Sequence, residues 1–207
     1  MLATVTARNL PGVMCLEGEW SDEIESRMSI EPVLRLMEAS GTLRLVHRDV
    51  ATRTELEFHL NRWLGRTKGM SRYNFCYFGF HGTPKTIYLG EDELSLDDFA
   101  EILSGKCSGK VLYFAACKVL AASDDVLQEF CKTTGAKAVV GYTRDVDWFE
   151  AAAFELLMIS HLIHSVRMKS AYNSLTKKYP DLTAQLGFRM AHATWASDRA
   201  IAQSAIE

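Results

Sequence analysis

The chain has 207 residues, 48% hydrophobic and 24% charged, with a formal net charge of −3. That length and apolar share suit one well-buried domain with little extended disorder. The charge balance leaves no basic stripe to neutralise phosphates, which argues against nucleic acid as a partner.

The amino terminus, MLATVTARNLPG, has no basic stretch leading into an apolar one, and no run of about eighteen apolar residues occurs anywhere, so a cytoplasmic protein without a membrane partner is expected. GVMCLEG (12–18) reads as the first strand, and EPVLRLMEA as a helix with proline in its first turn. LRLVHRDV (43–50) is the second strand. TELEFHLNRWLG then places Leu56, Leu60, Trp63 and Leu64 on one helical face before a glycine stop. YNFCYFGF (73–80) is the third strand, and SLDDFAEIL a helix capped by Ser95 with Asp98 three residues on. KVLYFAAC (110–117) and AKAVVGYT (136–143) are further strands, separated by SDDVLQEFCKTTG with a Ser123 cap and Gly135 stop. DWFEAAAFELLMISHLIHSV is apolar on nearly every side, as a helix packed into a large core or a subunit contact would be, and the core is the preferred reading. From Met168 a helix runs to a break at Tyr179-Pro180, followed by LGFRMAHATW, which suits either helix or a late strand. No internal repeat interrupts the series.

Strands alternating with amphipathic helices predict an α/β fold, a three-layer α/β/α sandwich around a mostly parallel sheet. The expected organisation is a single domain over 1–207, with its core at about 12–164 and a helical extension at about 166–207. In such sheets ligands bind beyond the carboxyl ends of the strands. The third strand runs there into His81-Gly82, and the fourth ends on Cys117. Taken alone, a cysteine at a strand end is most often a buried spacer, and a lone histidine a hydrogen-bonded polar residue. Their pairing on adjacent strands points to nucleophilic catalysis, because a thiol needs a nearby base to become the reactive thiolate. Lys118 and a helix start near Ser123 add positive potential. The amides of Gly82 and Cys117 are the natural donors for an oxyanion. The five cysteines, Cys15, Cys76, Cys107, Cys117 and Cys131, show no CxxC spacing, so the others read as reduced core residues.

FGFHG, IYLGEDELSLDDFAEIL, KVLYFAAC and AVVGYTRDVDWFEAAAF together resemble the caspase-like cysteine peptidases, especially the bacterial CHAT domains related to separase. The resemblance spans about 12–164 in element order. The order of histidine before cysteine agrees with caspases, where about 50 residues separate them. The chain is also similar to a bacterial family sharing CLEG and GYT-x-x-VDW segments. The resemblance implies a caspase-like sandwich with His81 as general base, Cys117 as nucleophile, and the Gly82 and Cys117 amides as oxyanion hole. It also implies an acidic specificity pocket in the loop after the next strand, here Asp145 and Asp147 with Trp148 beside them, and hence a basic P1 residue in a protein or peptide substrate. No cofactor is implied. Ala115 and Val119 replace the glutamine and glycine that flank the caspase cysteine, so aspartate specificity is not expected. A regulated bacterial defence or cell-death effector, activated by a partner or small-molecule signal, would suit the family. The alternative is a catalytically silent module of the same fold that binds a partner protein or small ligand. Which acid, if any, orients His81 is left open by several nearby carboxylates.

His161 and His164 stand three apart on the long apolar helix, but no carboxylate or third histidine completes a metal set there, so no metal site is expected. His47 and Arg48 close the second strand at the crevice mouth, where a substrate contact is one reading and a polar strand end the commoner one; Glu17 and Glu19 close the first strand in the same way. Neither a GxGxxG nor a P-loop pattern is present.

Overall fold

Ten strands and seven helices follow one another in the computed structural model, which describes residues 10–65 and 68–197. Strand β1 (Gly12–Glu17), helix α1 (Glu31–Ala39), β2 (Arg44–Asp49), α2 (Arg53–Leu64) and β3 (Tyr73–Gly79) form the first part. A small antiparallel sheet comes next, made of β4 (His81–Thr83), β5 (Thr86–Leu89) and β6 (Asp92–Ser95). The chain continues through α3 (Leu96–Leu103), β7 (Val111–Ala115), α4 (Asp124–Thr134), β8 (Ala138–Tyr142), α5 (Trp148–Leu162), α6 (Met168–Lys178) and α7 (Pro180–Gln185). It closes with β9 (Phe188–His192) and β10 (Trp195–Ala196).

The central sheet has the order β10-β9-β8-β7-β3-β1-β2. Its five predicted strands pair in parallel, and β9 and β10 join antiparallel at one edge. Successive side chains alternate between faces. Val13, Cys15, Phe75, Tyr77, Tyr113 and Val140 therefore pack with α1, α5 and α6, while Met14, Leu16, Cys76, Phe78 and Phe114 pack with α2, α3, α4 and the small sheet. Both faces being covered explains why the strands are near-continuous apolar runs. The fold is a three-layer α/β/α sandwich.

Local chemistry places the helix starts as expected. Ser95 and Asp98 form a reciprocal capping box, and Ser123 accepts from the Val126 amide. Helix α5 turns Ala152, Phe154, Met158 and Ile159 into the core, as its apolar sequence predicts, but leaves Phe149 and Leu157 exposed.

Two expectations need correction. The predicted strand 110–117 ends at Ala115, two residues before the cysteine. The predicted helical extension is helical only through α7; Gly187, at φ 60°, turns the chain back, and Phe188–His192 pairs with β8, the late strand that LGFRMAHATW also allows. That pairing covers an edge of β8 that would otherwise present bare backbone donors and acceptors. Residues 198–207 of the extension lie outside the described residues. The small sheet was not anticipated, because strands of three or four residues carry too few alternations to register as a pattern. Among the described residues, no helix is long and apolar enough to cross a membrane.

Candidate functional site

Strands β3 and β7 are adjacent and in register, with Gly79 opposite Ala115. His81 and Cys117 each stand two residues beyond those paired ends, so the topology brings them level at the carboxyl edge of the sheet. Both line a cavity of about 160 Å³, walled by Trp20, Met28, Ile30, Val146, Trp148 and Ala151. No hydrogen bond joins the two side chains among the described residues; His81 is exposed at the rim and Cys117 is half-buried.

The turn at Cys117 arises from how the chain rejoins its neighbour. The last ladder pair between β7 and β8 is Phe114 with Gly141, after which the Lys118 amide donates to the Arg144 carbonyl and the Leu120 amide to Tyr142, both at 3.0 Å. Residues 115–117 thus loop out of the ladder, and Lys118 takes a left-handed φ of 59°, uncommon for a residue with a Cβ. Among the described residues, the Cys117 amide donates to no backbone carbonyl. Gly82 lies against this turn: a Cβ there would come within 2.8 Å of the Cys117 carbonyl oxygen and 2.7 Å of Val119 Cγ2. Only glycine allows that approach, which the Lys85 amide secures by donating to Val119 at 3.2 Å.

The acidic pair expected to line the pocket does not do so. Asp145 is exposed and forms an ion pair with Lys118. Asp147 is the cap of α5, accepting from the Phe149 and Glu150 amides at 2.9 and 3.0 Å. A helix start leaves amides that demand an acceptor, and this requirement takes the carboxylate. Trp148 does line the cavity.

The acid at the cavity is Glu155, two turns further along α5 and 2% exposed. Tyr77 Oη donates to its Oε2 at 2.7 Å, and Tyr113 Oη to its Oε1 at 2.6 Å; Tyr142 Oη lies 3.4 Å from Oε1. Burial pushes its carboxyl up to about 7, against the opposing pull of the three phenols. Its signal in the sequence was a lone carboxylate within AAAFELLM, masked by the surrounding apolar residues.

Glu17 is also more than a polar strand end. It is 2% exposed and accepts from Trp20 Nε1 at 2.5 Å, and from the Ile30 amide and Ser29 Oγ at 2.7 Å each. Its fourth partner is His47 Nε2, at 2.7 Å. Burial opposes the charge on Glu17, but these partners outweigh it and hold the carboxyl below its usual range. For buried His47, desolvation is likewise outweighed by Glu17, and its pKa is raised. Cys15, Glu17 and His47 bring potential ligand atoms within 4.8 Å of one another. The four partners of Glu17 match the roughly four lone-pair sites of a carboxylate, however, and burial pushes the Cys15 thiol well up. The grouping is a hydrogen-bonded hub. Glu19 and Arg48 are exposed; His161 is half-buried on α5, and exposed His164 lies past its end.

Residues 11–192 match a family of unknown function (DUF6642). The chain belongs to that family. The DUF6642 match opens at the start of β1 and closes at the end of β9, so it takes in the cavity and every side chain placed around it. Nothing among the curated proteins matches the chain.

Proposed function

We propose that the chain is a cysteine endopeptidase with a His81–Cys117 dyad. The observation that carries this reading is the shared cavity beyond β3 and β7, where a half-buried thiol, an imidazole and an uncommitted Cys117 amide meet. In the proposed reaction His81 accepts the thiol proton, and sulfur attacks the carbonyl carbon of the scissile peptide bond. Negative charge then develops on the carbonyl oxygen, facing the Cys117 and Gly82 amides. Collapse breaks the carbon–nitrogen bond, and His81 gives its proton to the departing amine. Water, deprotonated by His81, next attacks the thioester; the acid product leaves and the proton returns to sulfur. A loose dyad before substrate arrives is compatible with this scheme, since catalytic hydrogen bonds commonly tighten only in the substrate complex.

A basic P1 residue fits the cavity for a reason different from the loop acids expected at the outset. Lysine and arginine join an apolar stem to a charged head. The cavity joins apolar walls, including Met28, Val146 and Trp148, to one acidic residue, Glu155.

Iodoacetamide labelling across pH tests the dyad. Cys117 is expected to be alkylated selectively at mildly acidic pH, with that selectivity lost in His81→Ala. Reactivity no greater than that of buried Cys76 or Cys107 would sink the peptidase reading and favour a silent binding module. A positional-scanning peptide library on wild type and Cys117→Ala reports cleavage and P1 choice together.

A further inference from the structure

His81 stands at the cavity rim, and no hydrogen bond or ion pair to its imidazole occurs among the described residues. Its ring meets Trp20 edge-on, with centroids 5.6 Å apart and planes at 74°. Trp20 is itself fixed. Its Nε1 donates to Glu17 Oε1 at 2.5 Å, and its Cζ2 lies 3.2 Å from where a Cβ on Gly79 would sit, so the indole lies over the end of β3. Glu17 is anchored in turn by Ser29, the Ile30 amide and His47. The chain of contacts therefore runs from a buried carboxylate, through an indole, to an exposed imidazole.

We infer that Glu17 is a positioning residue that acts through Trp20, the indole holding the His81 ring in one orientation toward Cys117. No carboxylate needs to touch His81 in this arrangement. A general base must hold its geometry closely, since a displacement of about 1 Å can cost a hundredfold in rate. An edge-on aromatic contact supplies orientation without a hydrogen bond. The role assigned to His81 rests on the proposed dyad; the holding of its ring does not.

Two readouts on the same variants separate these parts: the His81 ring-proton resonances in heteronuclear NMR, and the iodoacetamide rate at Cys117 across about pH 5–8. Trp20→Ala removes ring and tether together; it is expected to move the His81 resonances and slow alkylation of Cys117 near neutral pH about tenfold. Trp20→Phe keeps an aromatic edge but cuts the link to Glu17, and should fall between Ala and wild type in both readouts. Glu17→Gln should resemble Trp20→Phe; if it does not fold, Trp20→Phe tests the same link. Unmoved His81 resonances in Trp20→Ala overturn the inference. So does a Trp20→Phe variant indistinguishable from wild type, which would make Trp20 only a cavity wall. If wild-type Cys117 shows no His81-dependent alkylation, the peptidase reading fails. The ring orientation is then read from NOEs between the His81 ring and residues other than Trp20: their change in both variants sustains the holding, and their persistence overturns it.

Discussion

Glu155 is a carboxyl that folding removes from water, and two consequences follow from its raised pKa. Between the ordinary value of about 4.3 and the folded value of about 7, the native state holds a proton that the unfolded chain has released. Stability from this group therefore falls as pH rises through that window and is level above it. A cation bound beside it reverses the preference, because an opposite charge favours the carboxylate. On the proposed peptidase reading, KM for a peptide with arginine at P1 should fall as pH rises through about 7. Glu155→Gln should abolish that dependence and lower kcat/KM about thirtyfold, the equivalent of ~2 kcal/mol. Steady-state kinetics with matched arginine and norleucine peptides provides the check: an unchanged preference in Glu155→Gln would place P1 recognition elsewhere.

At the scale of elements, β1 and β2 are joined at their carboxyl ends by Glu17 and His47, both buried. The sign of each contribution follows from its shift. The raised pKa of His47 makes its share fully present below about 6.5 and lost as pH rises through the folded value. The lowered pKa of Glu17 makes its share present above about 4.3 and lost as pH falls through the folded value. His47→Gln should thus flatten the loss of stability on the alkaline side and leave the acid side to Glu17. Urea denaturation at a series of pH values tests this, and parallel alkaline slopes in wild type and variant would refute it. The same hub anchors Trp20 and Ile30, so the end of β1 also shapes the cavity wall.

For the whole molecule, β9 ties the C-terminal half to the turn that follows Cys117. Arg189 is fully buried; its Nη1 donates to the Leu120 carbonyl at 3.0 Å and to the Ala122 carbonyl, and it pairs with Asp124 at the start of α4. Arg189→Leu would leave two carbonyls and a carboxylate without this partner. A loss of about 3 kcal/mol is expected. For a domain of this size that lowers Tm by about 6–12 °C, readable by calorimetry. Because the turn from Cys117 to Ser123 leads directly into these carbonyls, the variant should also label faster at the otherwise buried Cys131. A Tm within a degree of wild type would show that β9 does not brace the turn.

How much was legible beforehand differs by feature. The five parallel strands and the helices α1 to α5 could be read because each is a period of two or 3.6 repeated over many residues, bounded by Ser95, Ser123 and Gly135. The positions of His81 and Cys117 beyond adjacent strands followed from the same periodicity and a rule of sheet topology. Asp147 was misread because a loop carboxylate before a helix serves equally as pocket acid or as cap, and only the helix geometry chooses. Glu155 and Glu17 were hidden for a related reason. Whether a carboxylate in an apolar run is buried with partners depends on residues far away in the chain, Tyr77 and Tyr113 in one case and His47 in the other.

By itself the sequence determined the layered α/β architecture and the strand ends on which His81 and Cys117 stand, because burial patterns and caps are local. Only the tertiary structure decided which carboxylate lines the cavity, which caps a helix and which is held in a buried hydrogen-bonded hub. It also put Trp20 against His81 and bent the C-terminal segment into the sheet. These are contacts between distant segments, and no local periodicity encodes them.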